Sequence, residues 1–187
     1  MGRPGKEVSL SRAVFLDRDG VLSRSLLRDG KPVAPTTVAE FELLPGVVDA
    51  VKQLHAAGFV LVVVTNQPDV RTGVTRLEAV EEMHRCLRDW LPVDDIKVCL
   101  HVDADGCDCR KPKPGMLLAA ARERRIDLKN SWMVGDRWRD VETGKAAGCK
   151  TILVECDYAE RRAESPDFTV KSLPEAVEII LKNQPSV

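Results

Sequence analysis

Asp17-Arg18-Asp19-Gly20 places two carboxylates two positions apart, directly after the apolar run Ala13-Val14-Phe15-Leu16. Acids at the end of a buried strand are costly unless something positive compensates them, and a following glycine lets backbone come close to a ligand. Taken alone, the pattern fits a turn with solvated acids equally well. An EF-hand is excluded, because Val21 and Arg28 stand where its ligands should be. A second signal is Thr65-Asn66, after the apolar run that starts at Phe59; a hydroxyl and an amide there can donate to phosphate oxygens, or simply form a cap or turn. Arg110-Lys111-Pro112 and Gly135-Asp136-Arg137 complete the set. Singly, Lys111 reads as a surface cation and Asp136 as a turn residue. Together they form one ordered series: an acid pair, a threonine, a lysine and a further acid, with the acids and the threonine at strand ends.

A separate cluster carries metal chemistry. Cys99, His101, Cys107 and Cys109 provide three thiols and one imidazole within eleven residues, the inventory of a closed Cys₃His zinc site. Reduced thiols in a loop are the alternative. A disulfide is disfavoured, since Cys107 and Cys109 are poorly placed to bridge each other. Cys86, Cys149 and Cys156 lie outside the cluster and read as small core or surface residues.

The elements that must position these residues alternate along the chain. Ala13–Leu16 predicts a strand. Pro45-Gly46 opens a helix with apolar Val47, Val48, Val51 and Leu54, and Gly58 suits a left-handed cap. Phe59–Val64 predicts a buried parallel strand. Thr75 and Glu78 have capping-box spacing for a helix to about Trp90. Strands over Ile96–Leu100, Trp132–Val134 and Thr151–Val154 follow, with a short edge strand at Phe168–Val170. Helices are expected over Pro114–Arg125, Asp140–Ala147 (capped by Gly148) and Pro174–Leu181. Such alternation implies an α/β fold, a doubly wound, Rossmann-like parallel sheet flanked by helices, and such sheets bind ligands beyond the carboxyl ends of their strands. One domain over 1–187 is expected, its core about 11–182.

The four motifs, Leu16-Asp17-Arg18-Asp19-Gly20, Thr65-Asn66, Lys111-Pro112 and Gly135-Asp136, resemble those of the haloacid dehalogenase superfamily of phosphohydrolases, over roughly residues 13–155. The resemblance implies that Asp17 attacks phosphorus and becomes an aspartyl-phosphate, and that Asp19 protonates the leaving oxygen and then activates water. For that task Asp19 is expected to be held protonated by burial and its acidic neighbour. It implies Mg²⁺ held by Asp17, Asp136 and the backbone carbonyl of Asp19, with Asp140 behind the metal. Lys111, Thr65 and Asn66 would hold the phosphate, with Arg110, Arg71 and Arg137 as further phosphate- or substrate-binding residues.

The loop Cys99-Leu100-His101…Cys107-Asp108-Cys109-Arg110-Lys111-Pro112 resembles the branch of that superfamily containing heptose bisphosphate 7-phosphatases and the histidinol-phosphate phosphatase domain. This implies structural Zn²⁺ on Cys99, His101, Cys107 and Cys109, fixing the loop that delivers Arg110 and Lys111. Two departures stand out. Leu100 replaces the family's usual proline, and Arg71-Thr72-Gly73 replaces Ala-Arg-Gly, displacing the arginine by one position. The intervals Asp19–Pro45 and Asn66–Cys99 are too short for a cap domain, so the site is expected to be open. Arg24, Arg28, Lys31, Arg71, Arg110, Arg137 and Arg139 near the expected mouth favour a sugar bisphosphate over the cationic histidinol phosphate, against Glu40 and Glu42. A phosphate-binding regulatory module is the non-enzymatic alternative; the intact acid/base residue Asp19 speaks against it.

Bulk properties set the frame. The 28 basic and 29 acidic residues nearly cancel, so no global field favours nucleic acid or a membrane surface. Met1–Lys6 carries no export or myristoylation signal, and no apolar run approaches the ~20 residues of a membrane span. A cytoplasmic monomer acting on a small phosphorylated metabolite is expected.

Overall fold

A computed structural model describes residues 10–184. The reading of Met1–Lys6 lies outside them. In chain order the elements are β1 (Ala13–Leu16), β2 (Leu26–Arg28), β3 (Lys31–Val33), α1 (Val47–Ala56), β4 (Val60–Asn66), α2 (Leu77–Trp90) and β5 (Asp95–Cys99). They continue as α3 (Gly115–Arg124), β6 (Trp132–Gly135), α4 (Trp138–Ala147), β7 (Lys150–Val154), β8 (Phe168–Val170) and α5 (Leu173–Lys182). Six of the strands form one parallel sheet in the order β5-β4-β1-β6-β7-β8. The chain builds outward from β1 to β4 and β5, then crosses to β6 and builds the other way. The reversal sits beside β1, where a doubly wound sheet leaves its ligand crevice.

β1 is buried on both faces, which is why it reads as a continuous apolar run. Val14 and Leu16 join a core with Val47, Leu54, Met83, Leu87, Val177 and Ile180 from α1, α2 and α5. Ala13 and Phe15 face the opposite core, with Met116, Leu117 and Ala120 of α3 and Met133 of β6. Alternate side chains of one strand thus clamp it between two helical layers. Register then fixes the site: Leu16 pairs with Val63 and Val134, and the Asp17 N–H donates to Val134 O at 2.9 Å. Asp17, Thr65-Asn66 and Asp136 therefore emerge side by side.

Three local expectations change. Helix α2 opens at Leu77 with Arg76 in the cap position, and no side chain caps it. The Val74 and Thr75 N–H groups bond to Asp69 O at 2.9 and 3.0 Å, pulling Thr75 inward away from the helix end. Helix α4 begins at Trp138 rather than Asp140, because Asp140 sits in its first turn and accepts from the Arg137 N–H at 3.0 Å. Between Asp19 and Pro45 lies an unanticipated hairpin, β2–β3, turning on Asp29-Gly30, both with positive φ (52° and 71°). Apart from it, that interval holds only one helical turn, and α2 occupies the stretch between β4 and β5. No inserted cap is present among the described residues. None of their helices is long and apolar enough to cross a membrane.

Candidate active site

Asp17 leaves the end of β1 almost fully buried, and its charge meets Lys111. The Lys111 ammonium donates to Asp17 Oδ1 at 2.7 Å, Asp140 Oδ1 at 2.6 Å and Val64 O at 2.9 Å, using all three of its protons. Burial works against that charge, but Asp140 and Asp17 outweigh it and hold the lysine pKa above its ordinary value. Lys111 reaches this position because Asn66 clamps its backbone: Asn66 Nδ2 donates to Lys111 O and Asn66 Oδ1 accepts from Lys111 N, each at 3.1 Å. The Asn66 side chain is thus committed to the loop.

One lysine does not balance the acids around it. Side-chain oxygens of Asp17, Asp136 and Asp140 all lie within 4.8 Å of one another. Burial pushes the Asp17 carboxyl up to about 6 despite Lys111, and burial followed by the charges of Asp17 and Asp140 raises Asp136 well above the ordinary carboxylate range. Asp140 has both oxygens engaged, by Lys111 and by the Arg137 N–H. Asp136 Oδ1, in contrast, is buried without any hydrogen-bond partner. Hard carboxylate oxygens converging with one left unsatisfied suit a small divalent cation such as magnesium. Gly20 keeps this arrangement possible: at φ 95° it passes so close to Asp136 that a Cβ would lie 1.8 Å from Oδ2.

Asp19 lines the same crevice, and its surroundings differ from the expected acidic ones. Arg18, whose side chain is 0% exposed, donates from Nε and Nη2 to the two Asp19 oxygens at 2.9 Å each. Ser23 Oγ adds a bond at 3.0 Å, and Gln67 Nε2 one at 2.8 Å while also reaching Thr65 Oγ1 at 2.8 Å. The dominant neighbour of Asp19 is therefore a cation. Arg18 turns inward because its guanidinium has two further partners there: Nη1 lies 3.1 Å from His84 Nε2, and the group stacks over the Phe41 ring at 5.3 Å. Burial, aided by Arg18, depresses His84 to about 4, which leaves its ring neutral and able to accept.

The crevice is lined by Asp17, Asp19, Thr65, Asn66, Lys111 and Asp140 at its base, with Arg137 and Arg139 toward the rim. Pro32, Val33 and Ala34 of the hairpin form another wall. Arg110 and Arg71 are not among the lining residues. Arg110 instead binds Asp103 Oδ1 (2.8 Å) and His101 O (3.0 Å), and Arg71, with 65% of its side chain exposed, lies 3.8 Å from Asp105. Arg139 takes the rim position, bonding Lys111 O and Asp103. Arg137 is paired with Glu160. Trp132 packs in the core against Phe168, whereas Trp138 lies at the surface between the guanidiniums of Arg139 and Arg161.

Next to the crevice, the thiols and imidazole converge. Cys99 Sγ lies 3.7 Å from Cys107 Sγ and 3.2 Å from Cys109 Sγ, and His101 Nδ1 is 3.5 and 3.4 Å from Cys99 and Cys109. A tetrahedral zinc site with bonds of about 2.3 Å has edges of ~3.7 Å. Three thiols and one imidazole at near-tetrahedral spacing suit that ion. The cluster is tied directly to the crevice, since Cys99 pairs with Asn66 across β4–β5 and its carbonyl accepts from the Gln67 N–H at 2.7 Å.

A strand-end carboxylate buried against a lysine, with a second acid one strand away, is equipped for phosphoryl chemistry, and on a doubly wound sheet it defines the haloacid dehalogenase-like class. Comparisons agree. The HAD-hydrolase-like family model matches residues 108–176. A D-glycero-beta-D-manno-heptose-1,7-bisphosphate 7-phosphatase of Pseudomonas putida is 38% identical over 166 residues, covering 85% of this chain and 92% of the relative. The enzyme of that name from Escherichia coli is 33% identical over 193 residues, covering 92% and 95%. Among solved structures, D,D-heptose 1,7-bisphosphate phosphatase from B. bronchiseptica, complexed with magnesium and phosphate, has a TM-score of 0.75 at 30% identity, covering 91% of this chain and 98% of that one. The chain belongs to the haloacid dehalogenase-like phosphatases, in the family of these heptose bisphosphate enzymes. The regulatory-module alternative gives way to a phosphatase.

Proposed function

We propose that this phosphatase removes the 7-phosphate of D-glycero-D-manno-heptose 1,7-bisphosphate, with magnesium, through an aspartyl-phosphate on Asp17. The observation that carries the chemistry is the buried Asp17–Lys111 contact facing the unsatisfied Asp136 Oδ1. The names of the relatives carry the substrate class.

Asp17 attacks phosphorus with the carboxylate oxygen that Lys111 leaves free, while Lys111 and Thr65 draw charge from the phosphoryl oxygens. Asp19 gives a proton to the leaving oxygen in the first half-reaction and takes one from water in the second. Arg18, Ser23 and Gln67 hold its carboxylate at the reacting centre. Asp17, Asp136 and the Asp19 backbone carbonyl would hold magnesium, which would supply positive charge where two anions must meet. Of the rim cations, Arg137 and Arg139 line the crevice, although each is paired with an acid (Glu160 and Asp103), and suit the second phosphate; Arg110 and Arg71 do not line it. Residues 1–187 act as one catalytic domain in this reading, a cytoplasmic monomer.

The direct test is phosphate release from both anomers of heptose 1,7-bisphosphate and from histidinol phosphate, side by side with magnesium. A preference for one heptose anomer of at least ~100-fold in kcat/KM, about 2.7 kcal/mol at the transition state, is expected. Faster turnover of histidinol phosphate would overturn the substrate assignment.

Zinc on Cys99, His101, Cys107 and Cys109 has a supporting role: it pins the loop that carries Lys111 into the crevice. One equivalent of zinc by elemental analysis is expected. Cys109→Ser should lose it and cut kcat/KM about 10–100-fold, the usual scale for a displaced supporting shell. Zinc-free protein with full activity would remove this role.

A further inference from the structure

Tyr158 is the only tyrosine in the chain and belongs to none of the motifs. It lies in the loop between β7 and β8, yet its hydroxyl donates to Asp136 Oδ2 at 2.7 Å. A phenol hydroxyl is the natural donor to a carboxylate oxygen, and at 2.7 Å it fills that role here. The other oxygen of the same carboxylate, Oδ1, is the buried atom without a partner. One oxygen is held from behind and the other is left for a ligand.

Hydrogen bonds tie the loop to its neighbours. The Ala159 N–H donates to Gly30 O at 2.9 Å, tying it to the β2–β3 hairpin, and the Tyr158 N–H donates to Cys156 O at 3.0 Å. Glu160 holds the Arg137 guanidinium, with Nε at 2.8 Å, anchoring the loop to the residue after Asp136. Gly20 packs against the same oxygen: a Cβ there would fall 1.8 Å from Asp136 Oδ2 and 3.0 Å from the Tyr158 hydroxyl. Gly20 and Tyr158 thus both crowd Asp136 Oδ2, and rotation about the carboxylate's terminal torsion would break the phenol bond.

We infer that Tyr158 is a positioning residue for the magnesium site, orienting Asp136 so that Oδ1 faces the cation while Oδ2 stays hydrogen-bonded. The inference rests on the proposed role of Asp136 as a metal ligand. A carboxylate bound through one oxygen needs its second oxygen satisfied; otherwise it swings or binds through both, and magnesium tolerates such departures from octahedral geometry poorly. Tyr158 supplies that satisfaction from a loop remote in sequence.

The test measures metal binding directly. Protein dialysed free of magnesium is titrated with Mg²⁺ by calorimetry and with Mn²⁺ by electron paramagnetic resonance, for the native chain, Tyr158→Phe and Asp136→Asn. Tyr158→Phe is expected to raise the Mg²⁺ dissociation constant about 10–100-fold, the typical cost of losing a partner behind a metal ligand. At saturating magnesium its kcat should return to within a few-fold of the native value, with KM for the sugar phosphate unchanged. Native metal affinity in Tyr158→Phe, with affinity lost in Asp136→Asn, would overturn the role of Tyr158 alone. So would a kcat deficit in Tyr158→Phe that no magnesium concentration repairs. Native affinity in Asp136→Asn would overturn the underlying metal assignment and this inference with it.

Discussion

Asp17→Asn is expected to abolish phosphate release, lowering kcat by at least ~10⁴-fold, because an amide cannot form the phosphoenzyme that the proposed mechanism requires. Its fold should survive. Lys111 keeps Asp140 Oδ1 and Val64 O as acceptors, so the substitution leaves no unpaired buried cation. The local electrostatics point further. Asp17, Asp136 and Asp140 crowd within 4.8 Å around one lysine, and burial already pushes Asp17 up to about 6. Removing one of three mutually repelling carboxylates should raise stability in magnesium-free buffer by about 1–2 kcal/mol, as strained sites do when relieved. Chemical denaturation and phosphate release measure the two halves. A variant that is inactive because it is unfolded would contradict the structural half; one with a tenth of native kcat would remove Asp17 as nucleophile.

Lys111→Met should damage both stability and catalysis, in contrast to Asp17→Asn. The methionine fills a similar volume but leaves Asp17 Oδ1 and Asp140 Oδ1 facing each other without a cation. Removing one partner from a buried ion pair costs about 3–5 kcal/mol, which in a domain of this size lowers Tm by roughly 10 °C. Loss of the ammonium from the phosphoryl oxygens should lower kcat on the order of 10³-fold. Added magnesium separates the two effects: it should recover part of the Tm, since it too compensates the acids, while kcat stays low. Native Tm in Lys111→Met would mean that the three carboxylates do not burden the fold. Native kcat would remove Lys111 from the charge balance of the reaction.

The same electrostatics explain why the crevice needs no cap to be chemically competent. Lys111, Arg18 and the acid cluster are buried by the sheet and its loops, so the charges act at low dielectric even though the rim is open. The hairpin β2–β3 borders this crevice and is joined to the Tyr158 loop through the Ala159 N–H and Gly30 O. Rim loops, rather than an inserted domain, are left to choose the substrate.

Much of this was legible in the amino-acid order. Short apolar strands ending in Asp17, Thr65 and Asp136 determine a doubly wound sheet with its chemistry at one edge, because strand periodicity and helix alternation are local properties. The grouping of Cys99, His101, Cys107 and Cys109 was legible for the same reason: all four lie within eleven residues. Asp29-Gly30 carried a usable hairpin signal as well, masked by the short flanking strands.

Only the tertiary structure decided which side chains serve the site from a distance. Arg18 has no role assigned from the sequence, yet the pocket formed by His84 and Phe41 draws it fully inside to bind Asp19. Asn66, read as a phosphate donor, is spent on the Lys111 backbone, and Arg139 occupies the rim position expected of Arg110. Tyr158 reaches Asp136 from 22 residues away. Local sequence determines where a chain turns and which face is apolar; which buried charge finds which partner depends on the packing of elements far apart in the chain, where a single unsatisfied polar atom costs more than any local preference contributes.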